Sequence, residues 1–157
     1  DFNNIINNSL KKNLRFRIFD NSKNMALTNS IKFKLKKFKT SDIKNDFNNV
    51  VQECKLSVHF FLGSAFLEAL FYNVPTILIL DKKIHINFDD KFNRFIKEMT
   101  KVNMIFSDPH VAANFINNNS NNLNAWWNNN KLQNLVKRFC KIYCDTYDPN
   151  QNQLEIT

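Results

Sequence analysis

Pro75 leads into Thr76-Ile77-Leu78-Ile79-Leu80, a run with no charge and no alternation. A strand with one wet face alternates apolar and polar residues, because successive side chains point to opposite sides. A run that is apolar throughout fits a strand covered on both faces, the interior strand of a parallel sheet. Parallel strands cannot be joined by tight hairpins. Such a strand therefore obliges the rest of the chain to supply crossover helices.

The flanking sequence supplies them. Residues 1–13 place Phe2, Ile5, Ile6 and Leu10 at helical spacing, and residues 14–19 alternate apolar and basic as a short strand. Residues 21–40 are irregular and basic, with one helical turn expected near Met25. Ser41 or Asp42 is expected to cap a helix carrying Ile43, Phe47, Val50, Val51 and Cys54 on one face. Residues 56–60 read as a second strand; Gly63-Ser64 then open a short apolar helix through Tyr72, which Asn73 stops. Beyond the apolar strand, Phe88, Phe92, Phe95, Ile96 and Met99 mark a helix, and residues 104–106 a short strand. Ser107 or Asp108, with Pro109 in the first turn, starts a helix through Ile116. Residues 117–124 read as a polar loop before Trp126-Trp127. A last helix bears Leu132, Leu135, Val136, Phe139 and Tyr143.

This order predicts an α/β domain over residues 1–147, with a mostly parallel sheet and helices on both faces. Residues 148–157 read as a flexible tail. Val58, Ile77, Leu78 and Ile79 are expected to be buried, with Phe47, Phe92, Phe95 and Phe139 packed on the sheet. A length of 157 residues suits one domain of ordinary size. The opening Asp1-Phe2, with no methionine and no signal-peptide pattern, reads as a fragment or a processed chain.

Composition removes several functions. The chain has one glycine, Gly63. A dinucleotide-binding Gly-x-Gly-x-x-Gly turn and a Walker P-loop each need more. No apolar stretch is long enough to span a bilayer. Cys54, Cys140 and Cys144 form no paired spacing, so they read as structural thiols in a reducing, cytoplasmic setting. No cofactor and no metal are expected; Asp89-Asp90 read as partners of a helix start. The net charge of +8 is uneven: residues 1–60 carry 12 Lys/Arg against 5 Asp/Glu, and the remainder 10 against 9. The basic excess is densest in residues 31–39, IKFKLKKFK. Such a surface attracts phosphates, nucleic acid or an acidic membrane face, and it equally suits a solvated edge.

The segment that reads as a site is residues 56–80. A strand runs into the only glycine, then a hydroxyl, then a helix. Free N–H groups at that helix start attract anions, Gly63 lets a ligand approach, and Ser64 can donate to a phosphate. Glu68 is the single charge between Lys55 and Asp81. It could accept both hydroxyls of a ribose, or simply complement the helix dipole. His59 ends the second strand at the ligand-facing edge, as a phosphate contact, a proton carrier or a packed ring. His85 lies on the same side, and His110 reads as a surface residue. Trp126 and Trp127 could stack on a sugar or base, but as helix neighbours they cannot both face one pocket, and they read rather as core packing or as a docking surface for another domain.

Gly-Ser-Ala-Phe-Leu-Glu-Ala-Leu followed by Asn-Val-Pro-Thr-Ile resembles an element in the C-terminal domain of two-domain (GT-B) glycosyltransferases. It is closest to the transferases of O-antigen and surface-polysaccharide gene clusters. Residues 111–117, the Trp126-Trp127 pair, the helix from Leu132 to Phe139 and Tyr143 resemble that family's downstream order. The likeness covers about residues 14–147. It implies a Rossmann-like half of a GT-B fold that binds a nucleoside-diphosphate sugar. Gly63, Ser64 and Ala65 would face the diphosphate and Glu68 the ribose. Arg17 would reach the donor phosphates, with Arg15 on the same face. Ser64 stands where the family usually has threonine, which keeps the hydroxyl. The resemblance implies that the acceptor domain, normally N-terminal, is expected to be missing from this stretch; the base of an inverting enzyme often sits there, so no catalytic base is assigned. The acceptor is expected to be a glycan or lipid-linked, and the protein cytoplasmic, peripheral to an anionic inner membrane face. Two other readings stay open: half of a CDP-glycerol-type polyol-phosphate transferase, which fits Glu68 equally, and a basic nucleic-acid-binding module. The second lacks a nucleic-acid motif and has few aromatics among its basic residues, so nucleic acid is not the expected partner.

Overall fold

The computed structural model describes residues 2–17, 39–40, 46–80 and 88–144. The strand of the apolar run, β4 (Thr76–Ile79), is buried at all four positions. It lies between β3 (Ser57–His59) and β5 (Ile105–Phe106), and both pairings are parallel. A second, two-stranded parallel pair joins β1 (Arg15–Phe16) to β2 (Lys39–Thr40).

Helices cover both faces of the three-stranded sheet, giving a small Rossmann-like α/β core. The period of two along β4 divides the core. Leu78 faces a cluster with α4 (Ser64–Phe71), α5 (Asp90–Lys101), α7 (Leu123–Trp127) and α8 (Asn130–Tyr143). Ile77 and Ile79 face α1 (Phe2–Ile5) and α6 (Pro109–Asn119). A smaller cluster of Val51, Ala69 and Val74 packs α3 (Phe47–Gln52) on α4. Phe95 and Phe139 are buried as expected, with rings 5.3 Å apart. Val58, Phe47 and Phe92 are only partly buried. Val58 belongs to the flanking strand β3, which among the described residues has a strand on one side only.

Three boundaries differ from the sequence reading. The N-terminal helix is two short ones, α1 and α2 (Asn8–Lys11), with extended Asn7 between them. The cap of α3 is Asp46, whose carboxylate accepts the Asn48 N–H at 3.1 Å, rather than Ser41 or Asp42. Residues 117–124 are not a loop: α6 continues to Asn119 and α7 begins at Leu123. Asn117 earns its helical place through tertiary bonds. Its Nδ2 donates to the Ile5 carbonyl and its Oδ1 accepts the Asn7 N–H, each at 2.9 Å.

The connections from α4 to β4 and from α5 to β5 are built alike. Each helix ends with an asparagine in the left-handed region, Asn73 at φ 53° and Asn103 at φ 60°. In each, the next residue reaches back five positions, Val74 N–H to the Ala69 carbonyl and Met104 N–H to the Met99 carbonyl, both at 2.9 Å. The asparagine N–H closes on Leu70 or Thr100. This double closure normally uses glycine, and asparagine is the residue that best replaces it. The two tryptophans then lock these turns. Trp126 Nε1 donates to the Val102 carbonyl at 2.9 Å; Trp127 Nε1 donates to both the carbonyl and Oδ1 of Asn73 at 3.0 Å.

The segment around Met25, most of the basic run 31–39, His85 and the tail 148–157 lie outside the described residues. Among the described residues no helix is long and apolar enough to cross a membrane.

Candidate functional site

The parallel strands end together at one edge, and the turn from β3 to α4 stands there. Phe60, Phe61 and Leu62 lead from His59 to Gly63, the N-cap of α4. The first amides of a helix have no partner within it. Four helices meet this need with a side chain of their own. Asp46 serves α3, Asp89 serves α5 through the Phe92 N–H at 2.8 Å, Asp108 serves α6 through the His110 N–H at 2.7 Å, and Asn129 serves α8 through the Lys131 N–H at 3.0 Å. Gly63 cannot do this for α4. The Phe66 and Leu67 N–H groups bond to the Gly63 carbonyl, but those of Ser64 and Ala65 have no acceptor among the described residues.

Ser64 is exposed, and its hydroxyl stays uncommitted among the described residues. Glu68 stands one turn on, at i+4, so it shares the Ser64 face. It is partly buried, and its carboxylate has no hydrogen bond or ion pair among the described residues. It sits beyond the first turn of an eight-residue helix. Dipole stabilisation has largely faded there, which weakens the plainest structural reason for a carboxylate at this place.

Gly63 itself has φ −149° and ψ −174°, an extended conformation open to any residue. Its role is therefore spatial. A Cβ at this position would lie 2.9 Å from Cε1 and 3.0 Å from Cδ1 of Phe61.

His59 lies beneath the turn. Its Nε2 shares a hydrogen bond with Ser57 Oγ at 2.8 Å, and its ring meets Phe66 edge-on at 5.8 Å between centroids. Burial pushes its pKa down to about 4, so the imidazole is neutral at pH 7. It can offer a hydrogen bond to a phosphate but no positive charge. Arg17 is exposed and its guanidinium lies over the Phe47 ring, 5.4 Å from the centroid, on α3, the neighbour of α4.

The remaining candidates have structural roles. His110 is exposed at the start of α6. Asp89 is a helix cap, and no group of three or more ligand-type side chains that could hold a metal occurs among the described residues. Cys144 is buried and Cys140 partly so; a hydrogen bond that the Cys140 thiol donates to Cys144, together with burial, holds it protonated. Burial also raises the Cys54 thiol, against a smaller opposing effect of Arg15. Neither Cys54 nor Cys140 is an activated nucleophile.

The sequence reading passed over Ser57, the partner of His59, and the Phe60-Phe61 pair. Phe60 was read as the last residue of its strand. Two large apolar residues adjacent at a strand end were the available signal: they cannot both face one core.

The model of a family described as LIC12162 family transferase matches residues 1–155 of the chain. No curated protein and no solved structure matches it.

Proposed function

We propose that this chain, which belongs to the LIC12162 family of transferases, binds a nucleoside-diphosphate sugar at the β3–α4 turn, as the donor half of a glycosyltransferase. The observation that carries this reading is the start of α4, whose first two amides have no acceptor among the described residues although four other helices carry a side-chain cap; the short α2 and α7 lack one too. Unpaired amides at a helix N-terminus are a ready site for a diphosphate. The amides of Ser64 and Ala65 and the Ser64 hydroxyl would hold the phosphates, and Glu68 would accept the ribose hydroxyls. Neutral His59 would donate one hydrogen bond, and Arg17 would add charge from the α3 side. The chemistry would be electrostatic. As the glycosidic bond breaks, the leaving nucleoside diphosphate gathers negative charge, and fixed donors stabilise it without reorganising. The base and the acceptor site would belong to a second domain of a GT-B enzyme. A glycan or lipid-linked acceptor of surface-polysaccharide or O-antigen synthesis would bring the protein to the inner membrane face. The lysines of residues 31–39 would contribute about 1 kcal/mol each at an anionic surface.

Calorimetric titration with uridine and cytidine diphosphates tests the site. Hydrogen bonds to a charged group are worth roughly 1.5–3 kcal/mol, so Glu68→Gln should weaken binding about 10- to 150-fold. Stability should change by less than about 0.5 kcal/mol, the range of a surface substitution. If ribonucleotide and deoxy analogue bind the unaltered chain equally, Glu68 does not read the ribose and the assignment falls.

A further inference from the structure

We infer that Phe61 is an aromatic platform on which the base of a bound nucleotide stacks. This rests on the donor reading and adds to it the group that holds the base.

The argument starts from the only glycine. The extended backbone of Gly63 makes no demand for glycine, so the demand comes from space. The space where its Cβ would stand is taken by the Phe61 ring, 2.9 Å away. Glycine here lets the ring lie directly over the backbone; an exposed side chain could also turn aside from a Cβ, so glycine permits this placement rather than compelling it. Burial does not explain the ring, because Phe61 is 70% exposed and gains little from transfer out of water. Its neighbour Phe60 behaves differently: that ring packs edge-on against Phe2, 5.6 Å between centroids. Phe61 makes no ring contact among the described residues. One side of it rests on Gly63, and most of the rest is open to solvent.

What lies around this ring has the chemistry of a nucleotide in three parts. The Ser64 and Ala65 amides, without acceptors, suit phosphate. The Glu68 carboxylate, without a partner, suits the ribose. An exposed aromatic face on the preceding turn suits the remaining part, the base. Every base has a π-face, so stacking adds affinity without choosing among bases. Phe61 should therefore strengthen uridine and cytidine nucleotides alike and leave their discrimination to other residues.

The test titrates the 157-residue chain with uridine diphosphate, cytidine diphosphate and inorganic pyrophosphate, beside Phe61→Ala and Phe61→Tyr. Stacking is lost on truncation to alanine and kept by tyrosine. Phe61→Ala should weaken both nucleotides about 5- to 150-fold, by a similar factor, and change pyrophosphate binding by less than about twofold. Phe61→Tyr should restore nucleotide binding. Far-ultraviolet circular dichroism checks that each variant is folded, as an exposed position allows. If the unaltered chain binds nucleotides and Phe61→Ala binds them equally well, the platform is refuted and the donor site stands. An equal loss for pyrophosphate refutes it too, because the effect would then lie in the phosphate site. If the unaltered chain binds neither nucleotide, the donor reading fails and this inference fails with it.

Discussion

The turns from β3 to α4 and from β5 to α6 stand at the same edge of one parallel sheet, yet they are finished in opposite ways. After β5, Asp108 turns its carboxylate onto the His110 N–H, and Pro109 occupies a first-turn place where no N–H is needed. That helix start is closed by its own residues. After β3, glycine stands at the cap, the next two amides have no acceptor among the described residues, and an exposed phenylalanine lies against the glycine. A fold that caps four helices with side chains has the means to cap a fifth. With glycine at the cap, leaving α4 open gives up only about 0.3 kcal/mol of helix stabilisation, a loss that ligand binding can easily offset. The opposite edge of the sheet sharpens the contrast. There the ends of α4 and α5 are closed by asparagine turns and then bolted by tryptophan indoles.

The largest expected effect concerns that bolted edge. Trp127 is 2% exposed, and its Nε1 bonds Asn73 twice. Trp127→Ala should cost about 3–5 kcal/mol, from the cavity and the lost bonds together. Urea denaturation measures this. A loss below about 1 kcal/mol would mean that the tryptophan pair serves an interface rather than the turn.

The next effect tests what lies beneath the open turn. His59 has a folded pKa of about 4, below the ordinary 6.5, through burial. An unfolded chain therefore takes up a proton first on acidification. The stability that His59 contributes is fully present above about pH 6.5 and is lost as pH falls toward 4, on the order of 3 kcal/mol at most. His59→Gln should flatten the stability curve over that window. An unchanged slope in the variant would place the titration elsewhere.

Much of this contrast was legible in the sequence, and its limits have physical causes. The unbroken run at Thr76–Ile79 announced a strand covered on both faces, and all four residues are buried. Asp108-Pro109 announced the closed turn, because a cap and a proline act within a few residues of sequence. Gly63 announced an opening, but for an incomplete reason. A ligand's approach was anticipated; the ring of Phe61 in that space was not, since side-chain placement depends on the whole turn. The asparagine-rich stretch 117–124 misled because Asn117 joins a helix through bonds to Ile5 and Asn7, far away along the chain. The tryptophans were open between core packing and a docking surface; Trp127 is buried and Trp126 partly so, and the carbonyls they hold could be found only in three dimensions. Membership of a transferase family agrees with the transfer reaction, in the broad sense, that the resemblance of the Gly-Ser…Glu element implied.

The comparison is tested most directly by exchanging the two finishes and titrating with uridine diphosphate. Gly63→Asp would give α4 the carboxylate that Asp108 gives α6, and Gly63→Ala carries the added Cβ alone. Asp108→Ala opens the other turn, at a cost of about 1 kcal/mol in stability. If the start of α4 is kept open for a diphosphate, Gly63→Asp should bind at least about tenfold more weakly than Gly63→Ala, while Asp108→Ala binds as the unaltered chain does. Equal affinity in Gly63→Asp and Gly63→Ala, or a comparable loss in Asp108→Ala, would contradict the account.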